Sequence, residues 1–424
     1  MGWRKEGLTG GVDLPNQKRP GVTVFCGFLG AGKTTLLRHL LAQAASCAKA
    51  SEAEGGRARW AAIVNDLAAV NIDGAVVRPS FAEASEGGAE SFVELGNGCV
   101  CCSSSDELGE AIARLAASGH YEHIFVETSG VAEPRGVAGL FTRKNPFGKA
   151  LSDLVVPSAM VTVIDVVAFV NEAEKTKAGR VVPGSGERPM FELMLEQVEC
   201  ADVVILNQCD RATEAGDEVA RAEALVAGLN ARAEIVRTER GQVAAEFFTG
   251  RVRFDPVATV GAARWIRELN RVTSAGGGAA RGGLVSRAAA GGVAAYHESK
   301  YGITSCVYRA RAPFDQGRLR AAFADGLPGV LRAKGFFWTR TQPDEMGYVS
   351  LAGGVVRWET LSVWWAARLE AGRARRDDLP PSVAAVWEEP WGDRRQEIVL
   401  IGVGVAAREA ELRAQLDACL EKSG

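Results

Sequence analysis

Four short stretches of this chain carry residue types whose spacing can do chemistry. Gly27-Phe-Leu-Gly30-Ala31-Gly32-Lys33-Thr34 fits the pattern G-x-x-x-x-G-K-[ST]. Glycines at that spacing let backbone N–H groups curl around phosphate oxygens, and a helix starting there aims its positive end at them. Lys33 then neutralises the β- and γ-phosphates, the Thr34 hydroxyl holds Mg²⁺, and Thr35 is placed for the α-phosphate. The second stretch, Glu127-Thr-Ser-Gly130, puts a carboxylate at a strand tip, where it can hold the Mg²⁺ shell or orient an attacking water. Gly130 can offer its N–H to a γ-phosphate and move when that group leaves. The same four residues also suit an ordinary strand-ending turn.

The third stretch is Asn207-Gln208-Cys209-Asp210. Guanine presents N1–H and a 2-amino group, two donors that a carboxylate such as Asp210 accepts together. Adenine offers neither, so a buried Asp210 facing it would lose about 1–3 kcal/mol or more. Asn207 and Asp210 as mere helix caps is the alternative reading.

The fourth stretch, Cys99-Val-Cys101-Cys102, gathers three of the nine cysteines into four residues. It follows a strand at Phe92–Leu95 and precedes a helix beginning near Ser105 with Asp106 in its first turn. Thiols at a helix N-terminus ionise easily, and three soft thiolates suit Zn²⁺ or Cu(I) better than Mg²⁺ or Ca²⁺. A fourth ligand must come from elsewhere, from water or from a partner, and an open site of that kind suits delivery better than storage. Redox chemistry and simple packing are the competing readings, although a disulfide between the neighbours Cys101 and Cys102 would be strained. A further carboxylate, Asp66 in Asn65-Asp66-Leu67…Asn71-Ile-Asp73, falls where a first switch segment belongs. It can reach Mg²⁺ or a thiol-bound metal, or be a solvated loop residue.

The elements that must position these residues are legible from period and composition. Val22–Cys26, Trp60–Val64, His123–Val126, Met160–Ile164 and Val203–Leu206 read as buried strands. Helical patterns cover Thr34–Ala45, Asp106–Ala117, Met190–Cys200 and Glu218–Leu229, and Glu133-Pro134 reads as a helix start. Alternating units of this kind predict a P-loop α/β domain, a parallel sheet with helices on both faces, over residues 21–272. Residues 1–20 form an extension, Lys49–Ala58 a loop, and the Gly/Ala-rich residues 273–295 a linker. Residues 296–424 read as a smaller α+β domain. Its strands are Gly302–Arg309, Val330–Thr339, Tyr348–Trp358 and Ile398–Val403, and its helices are Phe314–Phe323 and Ala407–Leu420.

Composition narrows the function. The chain has 424 residues, 47% hydrophobic and 24% charged, with a formal net charge of −3. That balance argues against nucleic acid or an acidic membrane surface as partner. No apolar run is long enough to cross a bilayer, and the first twenty residues lack the apolar core of a secretion signal, so the expectation is a cytoplasmic protein with reduced thiols.

Taken together, GFLGAGKTTLL, IVNDLAAVNID, ELGNGCVCC and VETSGVAEP resemble the CobW-type metallochaperone GTPases, specifically their zinc-responsive YciC-like branch. The resemblance continues in YGITSCVYRARAPF and WGDRRQEIVLIG. It implies a GTP-hydrolysing carrier of zinc, or of cobalt or another divalent ion, that hands metal to a client protein and leaves room for a homodimer. By motif, Gly27, Gly30, Ala31, Gly32, Lys33, Thr34 and Thr35 hold the phosphates, and Asn207 and Asp210 read guanine. Lys33, Asp66, Glu127 and Gly130 serve hydrolysis and switching. Cys99, Cys101 and Cys102 hold the transferred metal. Three departures stand out. Gln208 replaces the usual lysine, the four histidines form no cluster, and no cysteine precedes Cys26 to form an N-terminal Cys-Pro docking motif. A P-loop kinase or ATPase, or a zinc sensor that does not hydrolyse nucleotide, are the rival readings.

Overall fold

A strand such as Val22–Cys26, apolar or β-branched along its whole length, needs cover on both faces. The computed structural model describes residues 19–50, 60–64, 92–94, 103–144, 148–177, 190–213, 217–254, 302–352 and 354–421. Its first unit runs β1 (Gly21–Cys26), α1 (Lys33–Ala50), β2 (Trp60–Val64), β3 (Phe92–Glu94), α2 (Ser103–Ala117) and β4 (His123–Glu127). It continues with α3 (Pro134–Thr142), β5 (Val156–Asp165), α4 (Val166–Lys177), α5 (Met190–Cys200), β6 (Val203–Asn207), α6 (Glu218–Leu229) and β7 (Glu234–Arg237). The strands form one seven-stranded sheet in the order β3-β2-β4-β1-β5-β6-β7, with every pairing parallel.

Side-chain alternation along β1 supplies both covers. Phe25 joins Leu36, Leu37 and Leu40 of α1 on one face, while Val22, Val24 and Cys26 join α2 and α3 on the other. The chain reverses direction across the sheet beside β1. In an open parallel sheet, the crevice outside the carboxyl ends of the strands at that reversal is where ligands bind.

The second unit runs β8 (Ile303–Ala310), α7 (Gln316–Ala324), β9 (Val330–Phe337), β10 (Glu345–Ala352) and β11 (Val355–Val363). It closes with α8 (Trp365–Glu370), α9 (Pro381–Ala384), β12 (Gln396–Val403) and α10 (Glu409–Asp417). Its antiparallel sheet has the order β11-β10-β9-β12-β8. Tyr308, Ile398 and Leu400 face α7 and α10. Val307, Val399 and Ile401 share one core with Met194 and Val198 of α5 and Leu225 and Leu229 of α6. The second sheet is therefore packed against the helical layer of the first.

Ions stitch the same seam. Glu192, Glu196 and Glu199 lie on one face of α5, as their spacing requires. Glu199 binds Arg332 at 3.0 Å and Lys334 at 2.9 Å, both on β9. Glu192 pairs with Arg357 of β11 at 3.0 Å. Burial by itself raises the Glu199 carboxyl, but Arg332 and Lys334 prevail and hold it at about 2.

Most expected elements are present, with three corrections. The stretch Tyr348–Trp358 is not one strand but the adjoining arms of the β10–β11 hairpin, with Gly354 at φ 76° in the turn. Lys49 and Ala50, expected to open a loop, are the last residues of α1. The helices α4, α8 and α9 and the short strand β7 are not expected from the sequence pattern. The first of these opens on Val166-Val167, whose β-branched side chains mask a helical start. The linker at 273–295 lies outside the described residues. No helix among the described residues is long and apolar enough to cross a membrane.

Candidate nucleotide site

Lys33 opens α1 directly after the glycine loop, at the carboxyl end of β1. Gly27, Gly30 and Gly32 have φ of 141°, 79° and 101°. Gly32 meets a neighbour that sequence could not foresee. A Cβ there would stand 2.3 Å from Nδ2 of Asn207 and would need a left-handed backbone. Lys33 is buried, its Nζ donating to the carbonyls of Gly27 at 2.8 Å and Phe28 at 3.3 Å. The phosphate loop is thus curled around its own lysine, with Ala31 buried beneath it and Thr35 exposed on the helix.

β4 pairs with β1 so that Glu127 lies opposite Phe25, which brings the carboxylate to the same edge. The Thr34 hydroxyl donates to Glu127 Oε1 at 2.6 Å. A hydroxyl and a carboxylate converging at the mouth of a phosphate loop are two hard oxygen donors, a set that fits Mg²⁺. Gly130 packs so closely on the phosphate loop that a Cβ would fall 2.8 Å from Leu29 N. Its carbonyl accepts from Gln197 Nε2 of α5 at 3.3 Å.

β5 and β6 carry Asp165 and Asn207 as partners in register. Asn207 is buried and serves both sides of the site. Its Nδ2 donates to the Ala31 carbonyl at 2.8 Å, and its Oδ1 accepts from Gly241 N–H at 2.9 Å. It therefore locks the phosphate loop to the loop after β7. Asp210 is exposed, with no protein hydrogen bond among the described residues. Gln208 Nε2 donates to the Gly30 carbonyl at 3.0 Å. Gly241, Gln197 and Asp165 are not anticipated by any motif. Gly241 carries a signal only in retrospect, as a glycine shortly after a strand, and the other two carry none.

The contacts bring together the phosphate loop, Lys33, Thr34, Glu127, Gly130 and Asn207, whereas Thr35 and Asp210 are exposed close by in the chain. Asp66, Cys99, Cys101 and Cys102 lie outside the described residues. A cleft of ≈ 960 Å³ opens at the opposite, amino-terminal edge of the sheet, lined by Arg19, Trp60, Tyr121, His123 and Arg251 among others.

Comparison with known proteins now decides the family. Residues 21–237 match the family model described as CobW/HypB/UreG, nucleotide-binding domain, and residues 303–420 match the cobalamin synthesis protein CobW C-terminal domain. The chain belongs to the CobW/HypB/UreG family. It is a P-loop GTPase with the C-terminal domain of the CobW proteins. Among its relatives, zinc-regulated GTPase metalloprotein activator 1 of Dictyostelium discoideum is 30% identical over 413 residues, covering 94% of this chain and 79% of that protein. The zinc chaperone CobW of Pseudomonas aeruginosa is 34% identical over 243 residues, covering 55% and 60% of the two chains. The zinc chaperone YjiA of Escherichia coli is 23% identical over 405 residues, covering 93% and 96%.

Proposed function

We propose that this GTPase is a zinc carrier in which Cys99, Cys101 and Cys102 hold the ion, GTP sets how tightly, and a cytoplasmic client protein receives it. The observation that carries this reading is the hydrogen bond from Gln197 to the Gly130 carbonyl at 3.3 Å. It ties the loop that lies against Leu29 of the phosphate loop to α5, and so to the second sheet that α5 supports. A change at the γ-phosphate has a physical route into the rest of the molecule.

Cysteine chemistry supports the choice of thiols. Cys26, Cys200, Cys209, Cys306 and Cys419 are all free, and burial raises every one of them. Cys26 and Cys200 stand at about 11 and Cys306 at about 12. Neutral buried thiols are poor metal ligands. The Cys-x-Cys-Cys stretch falls in the chain between β3, which ends at Glu94, and α2, which begins at Ser103. The names of the relatives, zinc chaperones and a zinc-regulated activator, point the same way.

In hydrolysis, Lys33 stabilises charge on the β- and γ-phosphates and Glu127 orients the attacking water, with Asp66 as a further carboxylate near the metal. Mg²⁺, held by Thr34, supplies neutralisation of phosphate charge when bound, while cobalt remains an alternative cargo. Gly130 follows the γ-phosphate, and its movement changes the purchase of the loop on Gln197. By linkage, if GTP tightens zinc binding, zinc tightens GTP binding by the same factor.

The test is a zinc titration against a chromophoric chelator with GTP, with GDP and without nucleotide, repeated on a variant with Cys99, Cys101 and Cys102 changed to Ser. The carrier reading expects nucleotide-dependent affinity that disappears in the variant. Zinc affinity that ignores the nucleotide, or survives loss of the three thiols, overturns it.

A further inference from the structure

The base loop carries Gln208 where GTPases of this kind place a lysine, and the surrounding geometry shows what has replaced the lysine. Gln208 adopts a left-handed backbone, φ 61° and ψ 35°. A non-glycine side chain there is strained, so its surroundings must hold it. They do so at both ends of the amide. Nε2 donates to the Gly30 carbonyl of the phosphate loop at 3.0 Å, and Oε1 accepts from Arg211 Nη1. The Arg211 guanidinium also reaches Asp165 Oδ2 at 3.3 Å. Asp165 is itself fixed, because its other oxygen accepts from the Ala168 N–H in the first turn of α4 at 3.0 Å.

We propose that Asp165, Arg211 and Gln208 act together as positioning residues that replace the lysine, clamping the base loop to the phosphate loop when guanine nucleotide binds. An amide has one donating and one accepting end, and here each end has a protein partner. Arg211 donates to the oxygen, and its charge polarises the amide toward the Gly30 carbonyl. A lysine needs no such helper, since an ammonium carries donors alone and its own charge. The arginine and the glutamine are therefore one device. Arg211 is 61% exposed on its side chain, so its loss removes little packing.

This inference rests on guanine-nucleotide binding at the base loop and makes no use of metal, so its test reads nucleotide affinity in the full-length protein without zinc. A fluorescent GDP analogue would be titrated against the parent, R211A, Q208K and the Q208K/R211A double variant, with D165N as a second way of releasing Arg211. R211A and D165N should each weaken binding about fivefold to tenfold, through faster dissociation. In the Q208K background the R211A change should alter affinity by less than about twofold, since the lysine now makes the contact alone. If R211A leaves affinity unchanged, or weakens it equally in both backgrounds, the clamp is refuted. In that event the zinc titration still stands or falls on its own thiols.

Discussion

Changing Glu199 to Gln removes the charge at the centre of the seam between the two sheets. Glu199 is 1% exposed, and its two oxygens serve Arg332 at 3.0 Å and Lys334 at 2.9 Å. Those cations are 1% and 2% exposed. Glu196 stands farther off, at 3.6 Å and 3.8 Å, and compensates only in part. Breaking a buried pair by removing one partner costs about 3–5 kcal/mol, because the other charge is stranded. For a chain of 424 residues that lowers the unfolding midpoint by about 3–6 °C. Acidity acts through the same carboxyl. It titrates at about 2 when folded, against roughly 4.3 unfolded. Its contribution is complete above the unfolded value and is lost as pH falls through 4 toward 2. Lys334 is also lowered, to about 8, by burial and then by Arg332, so in its case the charged form is the one that folding disfavours. Between that value and its unfolded pKa of about 10.4, the unfolded chain binds the extra proton, and stability rises with pH. Without Glu199, Lys334 loses an attraction that now raises it, so the deficit of the variant should narrow from pH 7 to pH 9. Chemical unfolding of parent and variant at both pH values tests this. A variant within about 0.5 kcal/mol of the parent at pH 7 would refute the buried-charge reasoning, and so would a deficit unchanged at pH 9.

Three further outcomes are expected. Gly32→Ala must place a Cβ 2.3 Å from Asn207 Nδ2 at φ 101°. It should abolish binding of a fluorescent GDP analogue, and binding within threefold of the parent would contradict that geometry. Glu127→Gln removes the charge that accepts from Thr34 at 2.6 Å. GTP turnover, followed by phosphate release, should fall about 10²-fold or more while GDP affinity changes little. Gln197→Ala deletes the link to the Gly130 carbonyl. It should leave zinc affinity without nucleotide unaltered and reduce the effect of GTP on that affinity, an effect that persisted in full placing the route elsewhere.

The parts of this protein that a linear pattern specifies are legible in the amino-acid order itself. A phosphate loop is local: its glycines and its lysine are read in order, and the flanking strand and helix follow from period. Glu127 and Asn207 are legible for the same reason, because a polar residue ending an apolar strand in a parallel sheet must arrive at one edge. Even the edge they share follows from parallel pairing. What linear order cannot express is separation. Gly32 must be bare because Asn207 lies against it, and Gln197 matters because it meets Gly130, 67 residues away. Reading Tyr348–Trp358 as one strand fails on a glycine turn, since two apolar runs of the same period look continuous. In sequence the second domain looks like an appendage beyond a linker, yet its sheet shares a core with α5 and α6 and surrounds Glu199 with cations. A carboxylate on a helix face reads as solvated surface until another sheet lands on it. Sequence determined the chemistry available to this protein. Tertiary packing alone decided which residues hold that chemistry in place, because those contacts are made between segments far apart in the chain.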